Sequence, residues 1–240
     1  MEIKIYNSKK EVAEQFSKYF HDLVKDKNQF TVALSGGSTP KIVFEELASN
    51  YKKLINWNNI EFYWGDERCV PPTDDQSNYK MTKDHLLDHI EIPKANIHRI
   101  KGEIDPIEES KAYAGRIEDQ LAAYEGIPQF DLVILGMGED GHTASIFPHE
   151  IALWDAEEYC EVAQHPESGQ NRVTITGSII NNAKLAVFLV TGGGKAEKLR
   201  EIINKQGDYL RYPASLVNPK SGNLVWFLDK EAAAQISNEI

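Results

Sequence analysis

The chain has 240 residues, 41% of them hydrophobic, with 26 Lys plus Arg against 37 Asp plus Glu and a formal net charge of −11. That length suits one large domain or two small ones with a sizeable core, and the acidic balance repels nucleic acid and anionic membranes, so neither is an expected partner. Two cysteines, Cys69 and Cys160, allow no disulfide framework; with no signal-peptide h-region and no 18-residue apolar run, the expected location is cytoplasmic.

A first strand begins by about residue 3. Ser8 and Glu11 then have capping-box spacing, and Val12, Phe16, Phe20 and Leu23 recur at helical intervals. Phe30 to Leu34 reads as a buried strand, followed by the turn Ser35-Gly36-Gly37-Ser38-Thr39-Pro40. Pro40 suits the first helical position and Ser38 or Thr39 the cap of a helix to about Asn50. Ile60 to Trp64 is the next strand, with Asp66-Glu67-Arg68 just past its end. A Pro-rich loop, Val70 to Gln76, leads to a helix from Ser77 to His89. Ile97 to Ile100 is a short strand and Pro106 to Glu125 a helix.

Phe130 to Leu135 is a buried strand running into Gly136-Met137-Gly138-Glu139-Asp140-Gly141-His142-Thr143. Short strands follow near Tyr159 to Ala163 and Arg172 to Thr176, then an apolar strand from Lys184 to Val190. Thr191-Gly192-Gly193-Gly194-Lys195 turns into a helix ending near Lys205. Leu224 to Leu228 is the last strand, and Asp229 caps a final alanine-rich helix. Strands alternate with helices and most strands are continuous apolar runs, which predicts a mainly parallel sheet covered on both faces. No linker divides the chain, so a single domain over 1–240 is expected. The candidate site elements all fall at strand carboxyl ends, where open α/β sheets bind ligands.

Three turns carry chemistry. The small residues Ser35 to Thr39 at a helix start expose unpaired N–H groups and hydroxyls, an anion site that suits phosphate. Arg68 can grip phosphate or carboxylate, although its charged run taken alone reads as a surface ion-pair cluster. The Gly136–Thr143 turn presents a carboxylate, Asp140, two residues from an imidazole, His142, the side chain that changes charge between pH 5 and 8.

Gly136, Gly138 and Gly141 also satisfy G-x-G-x-x-G. The motif comes past mid-chain, Pro148 follows it closely, and Glu161 is the only rough acidic partner, so NAD binding is not expected. Leu189 and Ala196 spoil a Walker reading of Thr191 to Lys195, which leaves Lys195 as a point charge at a helix start. His85 and His89, four apart, lack a third ligand and read as surface residues. Cys69 has no histidine near it in sequence to make it a nucleophile.

Together these segments resemble the 6-phosphogluconolactonase family, within the wider glucosamine-6-phosphate deaminase/ribose-5-phosphate isomerase fold group. The likeness runs through Leu34 to Pro40, Trp64 to Arg68, Ser77-Asn78-Tyr79 and Gly136 to Pro148. It continues through Arg172 to Thr176, Thr191-Gly192 with Lys195-Ala196, and Pro213-Ala214-Ser215. Arg68 stands where the deaminase pattern has tyrosine, and Thr143-Ala144-Ser145-Ile146-Phe147-Pro148 replaces its Ile-Ala-Phe-Asn-Glu-Pro. The family's usual glycine after Phe-Pro is here His149.

The resemblance implies a three-layer α/β/α, modified Rossmann-like fold with a mainly parallel sheet. It also implies hydrolysis of 6-phospho-D-glucono-1,5-lactone, in the oxidative pentose phosphate pathway, without metal or organic cofactor. His142 would be the base that activates water and Asp140 would orient it. Ser35, Gly36, Gly37, Ser38, Thr39, Asp66, Arg68, Arg172 and Lys195 would bind substrate. Arg68, Arg172 and Lys195 share the phosphate and the transition-state charge, with N–H groups of Gly36-Gly37 or Gly138 as oxyanion donors. The expected partner is a small phosphorylated sugar lactone, bound by a monomer or small homo-oligomer. The alternatives are a glucosamine-6-phosphate deaminase/isomerase and a non-catalytic sugar-phosphate-binding protein.

Overall fold

The computed structural model describes residues 1–236. Its centre is a seven-stranded parallel sheet in the order β1-β12-β11-β8-β2-β3-β5. The strands are β1 (Glu2–Tyr6), β2 (Phe30–Leu34), β3 (Ile60–Trp64), β5 (Ile97–His98), β8 (Leu132–Leu135), β11 (Ala186–Val190) and β12 (Leu224–Asp229). Every residue of β2, β8, β11 and β12 is buried, which is what a strand covered on both faces requires. Helices α1 (Lys9–Val24) and α2 (Ser38–Glu46) pack on one another and reach β12 and β11 respectively. Along α1, Val12, Phe16 and Phe20 face inward, and the edge of the Phe16 ring meets Phe227. The α/β class and the mainly parallel sheet agree with the sequence pattern.

The sequence does not announce a second, antiparallel sheet, β4-β10-β9, built from β4 (Asp66–Arg68), β9 (Cys160–Gln164) and β10 (Asn171–Ile175). Helix α4 (Pro106–Gln120) packs on β9 and β10. It is tied to the main sheet by the Tyr113 hydroxyl, which accepts from Trp64 N at 2.8 Å and donates to Trp64 O at 2.9 Å.

Several predicted boundaries move. Helix α2 starts at Ser38, so Pro40 is its third residue and Gly37, not Ser38 or Thr39, occupies the cap, with no side-chain cap bond. The helix then loosens into a π turn over Leu47–Tyr51. The helix expected over Ser77–His89 is α3 (Asn78–His85), capped by Ser77, with a separate 3-10 turn at Leu87–His89. Helix α4 stops at Gln120 rather than Glu125, because Glu125 (φ 54°) and Gly126 (φ 79°) form the turn of a small hairpin, β6 (Ala123–Tyr124) and β7 (Ile127–Pro128). Helix α5 (Gly177–Asn182) lies where no helix was predicted, while α6 (Ala196–Asn204) ends as expected on a left-handed Lys205. The Asp229 carboxylate does accept from Ala232 N, but residues 230–236 are turns, and the rest of the expected terminal helix lies outside the described residues.

From β2 the chain steps outward to β3 and β5, and from β8 it steps the other way to β11 and β12. The two directions part between β2 and β8. A crevice opens at such a switch point, beyond the carboxyl ends of the strands.

Candidate active site

The loops after β2, β3, β8 and β11 converge there on a cleft of about 270 Å³. Ser35, Gly36, Gly37, Ser38, Thr39, Asp66, Arg68, His142, Arg172 and Lys195 all line it, and Asp140 stands behind His142. A wider groove of about 490 Å³ at the opposite end of the sheet, between α1 and β12, holds none of these residues.

The turn after β8 is locked to itself. Gly138 N donates to His142 O at 2.9 Å, Gly141 N donates to Gly138 O, and the Thr143 hydroxyl donates to Gly136 O. Gly141 takes φ 84° and packs on the Tyr212 side chain. Inside this turn Asp140 Oδ1 lies 2.6 Å from His142 Nδ1 and 3.1 Å from His142 N. A carboxylate only accepts, so Nδ1 carries a proton, and in the neutral ring Nε2 keeps a lone pair. Burial pushes the Asp140 carboxyl up, but the bond from the His142 ring, that ring's charge and its backbone N–H outweigh burial and hold Asp140 below the usual carboxylate range. Gly138 must be glycine here, since a Cβ on it would sit 2.1 Å from His142 Nδ1 and 2.5 Å from Asp140 Oδ1.

The Asp66-Glu67-Arg68 run is not the solvated ion-pair cluster that its composition suggests. Asp66 is 5% and Glu67 2% exposed. Glu67 accepts from the Ser77 hydroxyl and from the N–H groups of Arg68, Asn78 and Tyr79, which staples β4 to the start of α3. Burial is the larger effect on Glu67 and raises its pKa in spite of those donors. Asp66 faces the cleft and accepts from the Ser145 hydroxyl at 2.6 Å.

Arg68 and Arg172 are direct register partners across β4 and β10. Arg68 Nη1 donates to Gln76 O at 2.6 Å, while the Arg172 guanidinium lies 5.6 Å from the centre of the Phe147 ring. The Nε of each is buried without a hydrogen-bond partner. Burial first, and the Arg68 charge second, lower the Arg172 pKa. Phe147 also touches the His142 ring, with centroids 4.7 Å apart, so one buried aromatic spaces the imidazole from the guanidinium.

At the far side of the cleft, the hydroxyls of Thr39 and Thr191 meet at 2.7 Å and join the start of α2 to the loop after β11. Lys195 reaches the cleft from that loop. Lys9 Nζ donates to Ser38 Oγ at 2.7 Å.

Sequence reasoning misses four contributors: Lys9, Asn78, Ser145 and Phe147. Asn78 binds Asp66 O through its amide nitrogen and lines the cleft. Asn78, Ser145 and Phe147 do fall inside the resembling segments, which is the one signal that could have found them. The Gly138 N–H, an expected oxyanion donor, is already committed to His142 O, leaving Gly36-Gly37 of the two options. His85 and His89 stand apart from the cleft: His85 Nδ1 is 3.0 Å from Glu45 and His89 Nε2 2.9 Å from Asp84 O. Burial and the Glu67 charge push the Cys69 thiol up to about 11, which fits an inert thiol rather than a nucleophile.

The family described as glucosamine-6-phosphate isomerases/6-phosphogluconolactonase matches residues 7–226. A 6-phosphogluconolactonase of Aggregatibacter actinomycetemcomitans is 49% identical over 84% of this chain and 85% of its own length. One from Treponema pallidum is 44% identical over 84% of both. Among solved structures, the Trypanosoma brucei 6-phosphogluconolactonase superposes with a TM-score of 0.89 at 26% identity over 98% of each chain. A monomeric glucosamine-6-phosphate deaminase reaches a TM-score of 0.83 at 19% identity, over 98% of this chain and all of its own, a likeness of fold alone.

Proposed function

The chain belongs to the glucosamine-6-phosphate isomerase/6-phosphogluconolactonase family, and we propose that it hydrolyses 6-phospho-D-glucono-1,5-lactone to 6-phosphogluconate with His142 as the base. The observation that carries the reading is the 2.6 Å pair of His142 Nδ1 and Asp140, set in a cleft that three cations line.

A δ-lactone is an ester open to direct attack by water. Nε2 of His142 takes a proton from the water as its oxygen bonds to the lactone carbonyl carbon. The carbonyl oxygen becomes an oxyanion, and the imidazolium then returns the proton to the ring oxygen as the C–O bond breaks. A positioned base of this kind contributes roughly 10²–10⁴-fold. Asp140 remains ionised throughout, fixes the tautomer and stabilises the imidazolium.

Arg172, which packs on Phe147 beside His142, and its register partner Arg68 stabilise the oxyanion together with the Gly36-Gly37 amides. The phosphate lies at the start of α2, against Ser38 and Thr39, with Lys195 opposite; helix N-terminal N–H groups favour an anion there. Binding at that remote group fixes the reacting carbon against the base.

Both cysteines are free thiols, which fits action in a reducing cytoplasm. No helix among the described residues is long and apolar enough to cross a membrane. The test is acid release from freshly made 6-phosphogluconolactone, corrected for spontaneous hydrolysis. Acceleration supports the reading. Ammonia released from glucosamine 6-phosphate, with no acceleration of lactone hydrolysis, would replace it with the deaminase.

A further inference from the structure

Glu139 and Lys195 approach one another from two sides of the cleft. Glu139 sits on the turn that carries Asp140 and His142, and Lys195 ends the short 3-10 segment Gly193–Lys195 that leads into α6. Glu139 Oε1 is 3.8 Å from Lys195 Nζ, with the lysine side chain 23% exposed and the glutamate 73%. The same carboxylate lies against Gly194, with Oε1 2.5 Å from where a Cβ would stand.

We propose that Glu139 is an internal stand-in for the substrate phosphate, a carboxylate that holds Lys195 at the cleft and must swing away when a phosphorylated ligand binds. The proposal rests on the assignment of Lys195 to the phosphate. Among the described residues Glu139 is the one carboxylate within ion-pair distance of Lys195. A phosphate at the same ammonium cannot share it comfortably with a carboxylate, since the two anions repel. The pair is long and its acid is exposed, so release is easy. Exposed pairs of this kind shift an equilibrium by about 1.4- to 5-fold. Glu139 thereby raises the threshold for weak anions at the start of α6 without blocking a well-placed sugar phosphate.

The test is titration with inorganic phosphate at low ionic strength, followed by the amide NMR signals of Gly192, Gly193 and Gly194. The proteins compared are the wild type, Glu139→Gln, Gly194→Ala and Lys195→Ala. Glu139→Gln is expected to bind phosphate about 2- to 5-fold more tightly. Gly194 does not have a left-handed φ, so alanine is tolerated there, and the three atoms nearest its Cβ all belong to the carboxylate end of the Glu139 side chain. Gly194→Ala is therefore expected to displace the carboxylate and tighten binding in the same direction with all charges retained. Both gains should vanish when Lys195→Ala is added. Tighter binding in Glu139→Gln but not in Gly194→Ala overturns the proposal, because the glutamate then acts only through its general field. If neither variant changes affinity while Lys195→Ala weakens it, the stand-in is wrong and the phosphate assignment holds. If Lys195→Ala itself leaves affinity unchanged, the phosphate assignment fails, and the proposal with it.

Discussion

Gly138→Ala is a perturbation whose effect follows from geometry alone. The added methyl would lie 2.1 Å from His142 Nδ1, 2.3 Å from His142 Cε1 and 2.5 Å from Asp140 Oδ1. Ordinary contact begins near about 3.5 Å, so the imidazole must retreat by more than about 1 Å, and the 2.6 Å bond to Asp140 cannot survive that shift unchanged. The backbone tolerates alanine, because φ at Gly138 is not in the left-handed region. The cost therefore falls on the alignment of the base rather than on the fold. A misplacement of about 1 Å costs on the order of 100-fold in rate, which is about 2.7 kcal/mol of barrier. Turnover of fresh 6-phosphogluconolactone, with the blank subtracted, measures the loss, and the melting temperature checks that the protein stays folded. A folded Gly138→Ala protein with kcat within about threefold of wild type would refute the reasoning.

Other outcomes follow from the same geometry. Lys195→Ala is expected to lower kcat/KM for the phosphorylated lactone about tenfold more than for unphosphorylated gluconolactone, as loss of a charge-assisted contact worth roughly 1.5–3 kcal/mol allows. Arg172→Ala should depress both substrates alike, and a loss confined to the phosphorylated one would exchange the two roles. The Asp140 pKa lies below the ordinary carboxylate value, so its charge is present above that value and is lost only as pH falls through the depressed one. The acid limb of log kcat/KM should accordingly not steepen to a slope of two; a slope of two would mean that Asp140 loses its charge in the same range. Tyr113→Phe removes the hydroxyl that serves both Trp64 N and Trp64 O in the core, and it should cost about 1–3 kcal/mol in urea unfolding. An unchanged unfolding midpoint would contradict that accounting.

The main sheet was legible because its central strands β8 and β11 are unbroken apolar runs, which only a doubly covered strand needs. The turn carrying His142 was legible because glycines bracket two functional side chains within a few residues. What stayed hidden depends on contacts between distant segments. β4 is Asp66-Glu67-Arg68, a strand with no apolar residue, and it is held by pairing with β10 and by the four donors on Glu67. Ser145 and Asp66 are 79 positions apart, so no local pattern joins them. Lys9 meets Ser38 only after α1 packs beside α2. The end of α4 differs from the expected one for a local reason: Ala122-Ala123-Tyr124-Glu125 has good helix propensity, but the left-handed pair at Glu125-Gly126 suits a hairpin turn and prevails. Helix α5 is short and β-branched, and burial of Ile179 and Ile180 outweighs its weak propensity.

The most direct measurement is kcat for His142→Ala on freshly prepared 6-phosphogluconolactone, alongside the thermal melt of the same sample. A protein that melts like wild type and loses roughly 10²–10⁴-fold in kcat is the expected result. Near-wild-type turnover in that folded variant would contradict the assignment of proton transfer to this imidazole.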